Sequence, residues 1–298
     1  TARFDQFVKQ KIVSSDYTSD TSGDALMFAV AIKNFSYSYY PISQEITNYD
    51  LKGQNPIVNT KYFTYNSNNQ LSEETLVNSN NKSITSKYYY PQDLSSEPYM
   101  QNLITTNRIK TPISIEKYNT NLLSKEKTIF IVDATTSNLV LPKNVYSAKF
   151  PNNIPYTTNV GNLEKKLTYD YYDSSGNLTQ YTPEGGAPVS IVWGYNKTQP
   201  IAKIENATNA QLVSALGVNN FSAITEAQLS SLNNLRTNTA FSQSMITTYT
   251  YQPLVGVSSI TDPKGDTVYY TYDGLGRLQY VKDAQGKLLT DYQYHYKN

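Results

Sequence analysis

The 298-residue chain contains no cysteine. That excludes disulfide staples, thiolate nucleophiles, thiolate metal sites and iron–sulfur clusters, and it leaves stability to a packed core, which a chain of this length can form. Histidine and tryptophan occur once each, the histidine as His295. Charge is scarce and balanced: 25 basic and 24 acidic residues make up 16% of the chain and leave a net +1. No field of one sign therefore attracts nucleic acid, anionic membrane or acidic substrates. No apolar run approaches the roughly 20 residues of a membrane-spanning helix. The longest apolar stretch, "ALMFAVAI" at Ala25–Ile32, reads as a buried strand. The chain opens on Thr1 rather than methionine, so we expect a processed product or a fragment of a longer protein, with any signal peptide already removed.

Tyrosine and small polar residues stand where charge is missing. There are 28 Tyr against 9 Phe. Tyrosine suits a pleated, half-buried surface, with its ring inside and its hydroxyl wet. Together with abundant Ser, Thr, Asn and Gln, this composition points to extracellular β-structure rather than to a cytosolic enzyme.

The tyrosines are not scattered. Tyr270-Thr-Tyr272 runs into Asp273-Gly-Leu-Gly276-Arg277-Leu278, then Asp283-Ala-Gln-Gly286, then Tyr292-Gln-Tyr294. Upstream stand Tyr249-Thr-Tyr251 followed by Asp262-Pro-Lys-Gly265, and Tyr172-Asp173-Ser-Ser-Gly176-Asn-Leu178 with Tyr195 beyond. Tyr62-Phe-Thr-Tyr65-Asn66-Ser-Asn-Asn69-Gln-Leu71 is a fainter copy, and Tyr37-Ser-Tyr39 has the same texture. Alternation predicts strands. Asp-x-x-Gly predicts a turn, because Asp bonds the backbone two residues on and Gly accepts positive φ. Each unit is thus a hairpin. A single hairpin is marginal in water, so neighbouring units must pair edge to edge.

The stretch "YYTYDGLGRLQYVKDAQGKLLTDYQYHY" resembles the tyrosine–aspartate (YD) repeat of the RHS family, specifically over Thr248–Tyr296 and fairly over Leu167–Tyr195. Residues 160–298 as a whole are similar to the C-terminal part of large secreted bacterial RHS-repeat proteins. The resemblance implies a spiralling β-sheet, which in the best-known members closes as a hollow shell around a toxin. Here the chain stops two residues after Tyr296, so no effector is expected to follow. The expected architecture is all-β: an extended, curled antiparallel sheet of hairpins. Residues 1–160 form degenerate hairpin repeats, 161–205 a YD-type repeat, 206–240 a helical insertion and 241–298 the C-terminal YD repeats. The insertion is predicted because Leu212 and Leu216, then Leu229, Leu232 and Leu235, recur at helical spacing. Gly217 is placed to end the first helix, and Thr225 with Gln228 to cap the second.

Candidate chemistry is thin. His295 lies in an alternating strand and reads as an exposed side chain. None of Asp173, Asp262, Asp273 and Asp283 sits in a calcium-loop pattern, and turn formation accounts for each. Glu73 and Glu74 are adjacent, so a strand sends them to opposite faces. Glu184, in "TPEGGAP", reads as a surface contact, and that glycine pair lacks the Lys and helix of a phosphate loop. Asp262-Pro263-Lys264-Gly265 resembles the aspartate-dependent self-cleavage element of toxin-bearing RHS proteins, yet it precedes a full repeat and reads as a turn. Arg277 is expected to lie across a tyrosine ring or to pair with a turn Asp. Tyr172, Asp173, Gly176, Asp262, Gly265, Tyr270, Tyr272, Asp273, Gly276, Arg277, Leu278, Asp283, Gly286, Tyr292 and Tyr294 are therefore read as structural repeat residues.

No catalytic residue, metal or cofactor is expected. The functional expectation is a secreted, surface-exposed structural or binding module within a larger assembly. Its partner would be a protein at the cell surface or outer membrane, or the remainder of a longer chain, without nucleic acid or a membrane span. Two rivals stand beside it. One is a carbohydrate-binding adhesin, its tyrosines stacking on sugar rings and its amides reading hydroxyls. The other is a shell or carrier fragment of a toxin-delivery RHS protein.

Overall fold

The computed structural model describes residues 3–10, 28–35, 39–149 and 163–295. The first two strands, β1 (Arg3–Gln10) and β2 (Phe28–Phe35), form a separate antiparallel pair, from Arg3 opposite Phe35 to Gln10 opposite Phe28. Phe28–Ile32 of the apolar stretch lie in β2, while Ala25–Met27 and Tyr37 fall outside the described residues.

The remaining strands make one 16-stranded sheet in strict chain order, every neighbour antiparallel. Its first half comprises β3 (Ser43–Asn48), β4 (Ile57–Tyr65), β5 (Leu71–Val77), β6 (Ser83–Tyr89), β7 (Ser114–Tyr118), β8 (Leu122–Ile131), β9 (Leu141–Lys149) and β10 (Glu164–Tyr172). The second half comprises β11 (Leu178–Pro183), β12 (Val189–Gly194), β13 (Gln199–Glu205), β14 (Met245–Gln252), β15 (Gly256–Thr261), β16 (Thr267–Tyr272), β17 (Leu278–Asp283) and β18 (Leu288–Asp291). The protein is thus all-β, a meander of hairpins. Every residue of β5, β15 and β17 is half-buried. That is the environment of a sheet stabilised laterally, side chain on side chain across strands, and it suits tyrosine.

Most fully buried apolar groups lie in two small caps or in the strands directly beneath them. The first was not expected: α1 (Met100–Thr105) stands between β6 and β7, in a stretch read from sequence as hairpin repeats. Its Met100 and Leu103 pack with Ile113 and Phe130. The sequence signal there is short, six helical residues after a proline-opened turn at Pro91, well below the length at which periodicity is legible.

The second cap is the helical insertion, with α2 (Asn209–Leu216) and α3 (Leu229–Asn234). Thr208 and Gln211 form a capping box on α2, and Gly217 ends it with φ 64°. Thr225 and Gln228 form the same box on a 3₁₀ turn (Glu226–Gln228) leading into α3. Leu212, Leu232, Leu235 and Phe241 close over Val192, Ile201, Ile204 and Ile246 of β12, β13 and β14. Complete burial of such side chains contributes about 1.5–3 kcal/mol each, so the insertion is the apolar centre of the C-terminal half.

Candidate functional site: repeat turns, aromatic latches and a pocket at the insertion

One turn recurs seven times among the described residues, led by Asp50, Asn66, Asn78, Asp173, Asp262, Asp273 and Asp283. In each, the side-chain oxygen accepts from the N–H groups two and four residues on, for example Lys264 and Asp266 at 2.9 Å from Asp262. The fourth residue has positive φ: Gly53, Gly176, Gly265, Gly276 and Gly286, and in two cases Asn69 and Asn81. A type I turn followed by a left-handed residue is a standard hairpin closure. Asn66 and Asn78 show that the amide serves as well as the carboxylate. All four repeat aspartates named from sequence therefore spend their carboxylates on their own turns.

The second tyrosine of each pair has a matching role. The hydroxyl of Tyr172, at the end of β10, donates to the Pro142 carbonyl at the start of β9, 2.7 Å away. Tyr65, Tyr251, Tyr272 and Tyr294 do the same to Pro41 (3.0 Å), Pro200 (2.9 Å), Val257 (2.8 Å) and Leu278 (2.8 Å). Tyr90 reaches the Leu71 carbonyl at 2.9 Å, and on β12 the Trp193 ring N–H reaches Leu178 at 2.8 Å. Seven of the eight even-numbered strands from β4 to β18 thus end in an aromatic ring latched to the start of the preceding strand. A bulge falls at Tyr65, Tyr172, Trp193, Tyr251 and Tyr272, and a bulge is what re-aims a side chain out of the regular pleat. Burial raises the phenol pKa of Tyr172 and, less strongly, of Tyr90 and Tyr251.

Arg277 both pairs with its turn and covers a ring. Its Nε donates to Asp273 Oδ2 at 2.7 Å, and its guanidinium centre lies 4.4 Å from the Tyr294 ring centroid. The Arg277 guanidinium and N–H together hold the Asp273 carboxyl below its ordinary pKa. Tyr270 is half-buried on β16, whereas Tyr292 and His295 are exposed beyond β18. Glu73 pairs with Lys87 at 3.9 Å and Glu74 with Lys61 at 2.8 Å, on the two faces of β5. Glu184 meets Lys166 at 2.9 Å on the surface, and Gly185 in "EGGAP" takes φ 62° in a turn.

Two features have no signal in the repeat pattern. Glu73, Lys87, Glu116 and Lys125 are direct cross-strand neighbours on β5 to β8, an alternating row of charge across four strands. Its inner pair is buried, Glu116 at 1% and Lys125 at 5% exposure, with Nζ and Oε1 2.9 Å apart. The second is Arg236, which ties the insertion to the sheet. It donates to the carbonyls of Ile246 (2.8 Å), Asp262 (3.1 Å) and Thr261 (3.3 Å) and to Asn233 Oδ1 (2.6 Å). Burial lowers its pKa.

A pocket of about 420 Å³ opens where the end of β10 and the start of β11 meet the first turn of α2 and Phe221. Tyr171, Asp173, Gln180, Asn209 and Phe221 are among its walls. Asn209 is 9% exposed; its N–H donates to Gln180 Oε1 at 2.8 Å and its Nδ2 to Thr179 Oγ1 at 3.1 Å. Its Oδ1 is one of two buried side-chain oxygens among the described residues that lack a donor. Among those residues no cluster of His, Asp and Glu could hold a metal ion, and no helix is long and apolar enough to cross a membrane.

No family model matches the chain, and no curated protein matches it. Among solved structures it is similar to the TcdB2-TccC3-TEV crystal structure at 10% identity and a TM-score of 0.42, covering 97% of this chain and 16% of that one. The TcdB2-TccC3 structure gives 9% identity and a TM-score of 0.42, over 98% and 16%. A Photorhabdus luminescens Tc holotoxin pore gives 12% identity and a TM-score of 0.27, over 82% and 13%. The chain thus spans about one sixth of the length of the first two structures.

Proposed function

We propose that the chain is a structural and binding module of RHS-repeat type, secreted and surface-exposed, that works without catalysis as one section of a larger assembly. The observation that carries this reading is the state of the sheet's two edges. Among the described residues β3 and β18 each pair on one side only. Tyr39 and Ile42 just before β3 and Ile46 on it are exposed, as are Leu288 and Leu289 on β18. An outer strand with free backbone groups and apolar side chains is a template for another strand. The turn-and-latch geometry is local to each hairpin, so a further unit of the same kind continues the sheet without altering the last one. The absence of catalysis is supported by where the repeat carboxylates go: each is consumed by its own turn.

The test is isolation of the native protein from cell envelope and culture medium, followed by intact mass measurement and identification of co-eluting proteins. A longer chain, or a stoichiometric partner cross-linked to β3 or β18, is the expected result. A lone 33.6 kDa species in the medium would overturn the proposal.

A further inference from the structure

We propose that the pocket between the β10–β11 turn and α2 binds a neutral, hydroxyl-rich ligand of the mono- or disaccharide class. This inference is independent of the assembly reading, because the pocket lies away from both sheet edges. Three observations carry it. The first is size: about 420 Å³ falls within the range of roughly 300–1,000 Å³ that small-molecule sites occupy.

The second is the orphaned Asn209 Oδ1. A buried acceptor without a donor carries a desolvation penalty that a native fold rarely leaves standing. The amide nitrogen meets Thr179 and the backbone N–H meets Gln180, while the side-chain oxygen alone lacks a partner. A ligand hydroxyl donates to that oxygen once the terminal torsion, which is broad for amides, turns it toward the cavity and exchanges the Thr179 contact for one to the ligand.

The third is the composition of the walls. Among the walls are Tyr171, 48% exposed, and Phe221, half-buried against the core of the insertion. Their rings are apolar faces for the C–H face of a sugar. Asp173 does not make the pocket a cation site, since its Oδ1 accepts from the N–H groups of Ser175 and Asn177 and its Oδ2 from Asn177 Nδ2. Nor does a free cation line the walls to recruit an anion: Lys197 is directed to Asp173 and Ser174.

The experiment is saturation-transfer difference NMR on the full chain with four neutral disaccharides, namely lactose, cellobiose, maltose and chitobiose, and a glucuronate-containing disaccharide as the acidic control. Two variants accompany it at exposed wall positions, Tyr171→Ala and Ser222→Trp, each checked for native circular dichroism. Transfer to at least one neutral disaccharide is expected, with Kd weakened about tenfold by Tyr171→Ala and binding abolished by Ser222→Trp, which fills the mouth. Should Tyr171→Ala fail to fold, Ser222→Trp alone decides. No transfer to any neutral sugar, transfer to the acidic sugar alone, or affinity unchanged in the folded variants would overturn the assignment.

Discussion

The ring of Tyr272 occupies the space that a side chain on Gly256 would fill: a Cβ there would stand 2.6 Å from the Tyr272 hydroxyl, which itself donates to the Val257 carbonyl at 2.8 Å. Gly256 is therefore one half of a latch, and its φ is not in the left-handed region, so space and not backbone conformation keeps the position empty. We expect Gly256→Ala to expel the hydroxyl and cost about 1–2 kcal/mol, and Tyr272→Phe to cost about 1 kcal/mol, the loss of one hydrogen bond. Because both break the same contact, the double variant should be markedly less destabilised than the sum. Urea midpoints of the four proteins check this, and full additivity would mean that the two residues do not communicate.

The repeat turns predict an acid limb. Asp273 has its carboxyl pKa lowered by Arg277 and by backbone N–H groups, Asp50 by the Gln54 N–H and the Asn55 amide, and Asp133, which caps the 3₁₀ turn Ala134–Thr136 outside the repeat turns, chiefly by the Thr135 hydroxyl. A carboxylate with a depressed folded pKa stabilises the fold above its unfolded value of about 3.9 and loses that contribution as pH falls further, through the folded pKa. Stability should thus be level near neutrality and fall below about pH 4. Asp273→Asn, which keeps the acceptor that Asn66 and Asn78 use elsewhere, should leave the turn formed and flatten part of that slope. Thermal melts across the acid range would show it; an unchanged slope would remove Asp273 from the account.

The latches predict an alkaline limb. Tyr172, Tyr90, Tyr169 and Tyr251 all have raised phenol pKa values, each chiefly through burial. A raised folded pKa gives stability that is complete below the unfolded value of about 10 and is lost as pH climbs toward the folded one. Absorbance of tyrosinate should therefore include a late, cooperative step above the ordinary phenol value of about 10 that coincides with loss of the β-sheet signal. Tyr172→Phe should remove a titrating group from that step. A single smooth titration without an unfolding step would contradict the latch account.

How much of this is legible in sequence depends on whether the determinants lie within one hairpin. Asp273 and Gly276 are three residues apart, and their turn follows from local chemistry. Leu212 and Leu216 reveal α2 through spacing alone. Tyr272 reads as a strand residue, but its partner is a backbone carbonyl 15 residues back, and nothing in an alternating pattern distinguishes a ring that latches from one that merely packs. Gly256 carries no signal unless that ring is known to be there. Arg236 sits in the 3₁₀ turn Leu235–Thr237 that follows α3, and its anchoring role exists only because β14 and the Asp262 turn converge on it. The pocket is further still from the sequence: Tyr171 and Phe221 are 50 positions apart and meet only through the packing of the insertion.

The buried pair of Glu116 and Lys125 poses the sharpest energetic test. The charges face each other across β7 and β8, and the hydroxyls of Tyr89 and Tyr118 both donate to Glu116 Oε2. Lys87 and Glu73 continue the row outward, at higher exposure. Removing one member of a buried pair strands the other, which costs about 3–5 kcal/mol, whereas replacing both with apolar residues of similar size is often neutral. Glu116→Ala should therefore destabilise severely, because it removes the buried carboxylate that pairs with Lys125 and accepts from both tyrosine hydroxyls. Glu116→Leu combined with Lys125→Met should recover most of the loss, short of what the two tyrosine hydroxyls forfeit. By contrast Glu73→Ala, at the exposed end of the row, should cost under about 1 kcal/mol. Equilibrium unfolding of the three variants ranks these effects. If Glu116→Ala proved no worse than Glu73→Ala, the buried pair would contribute nothing to the stability of the N-terminal half.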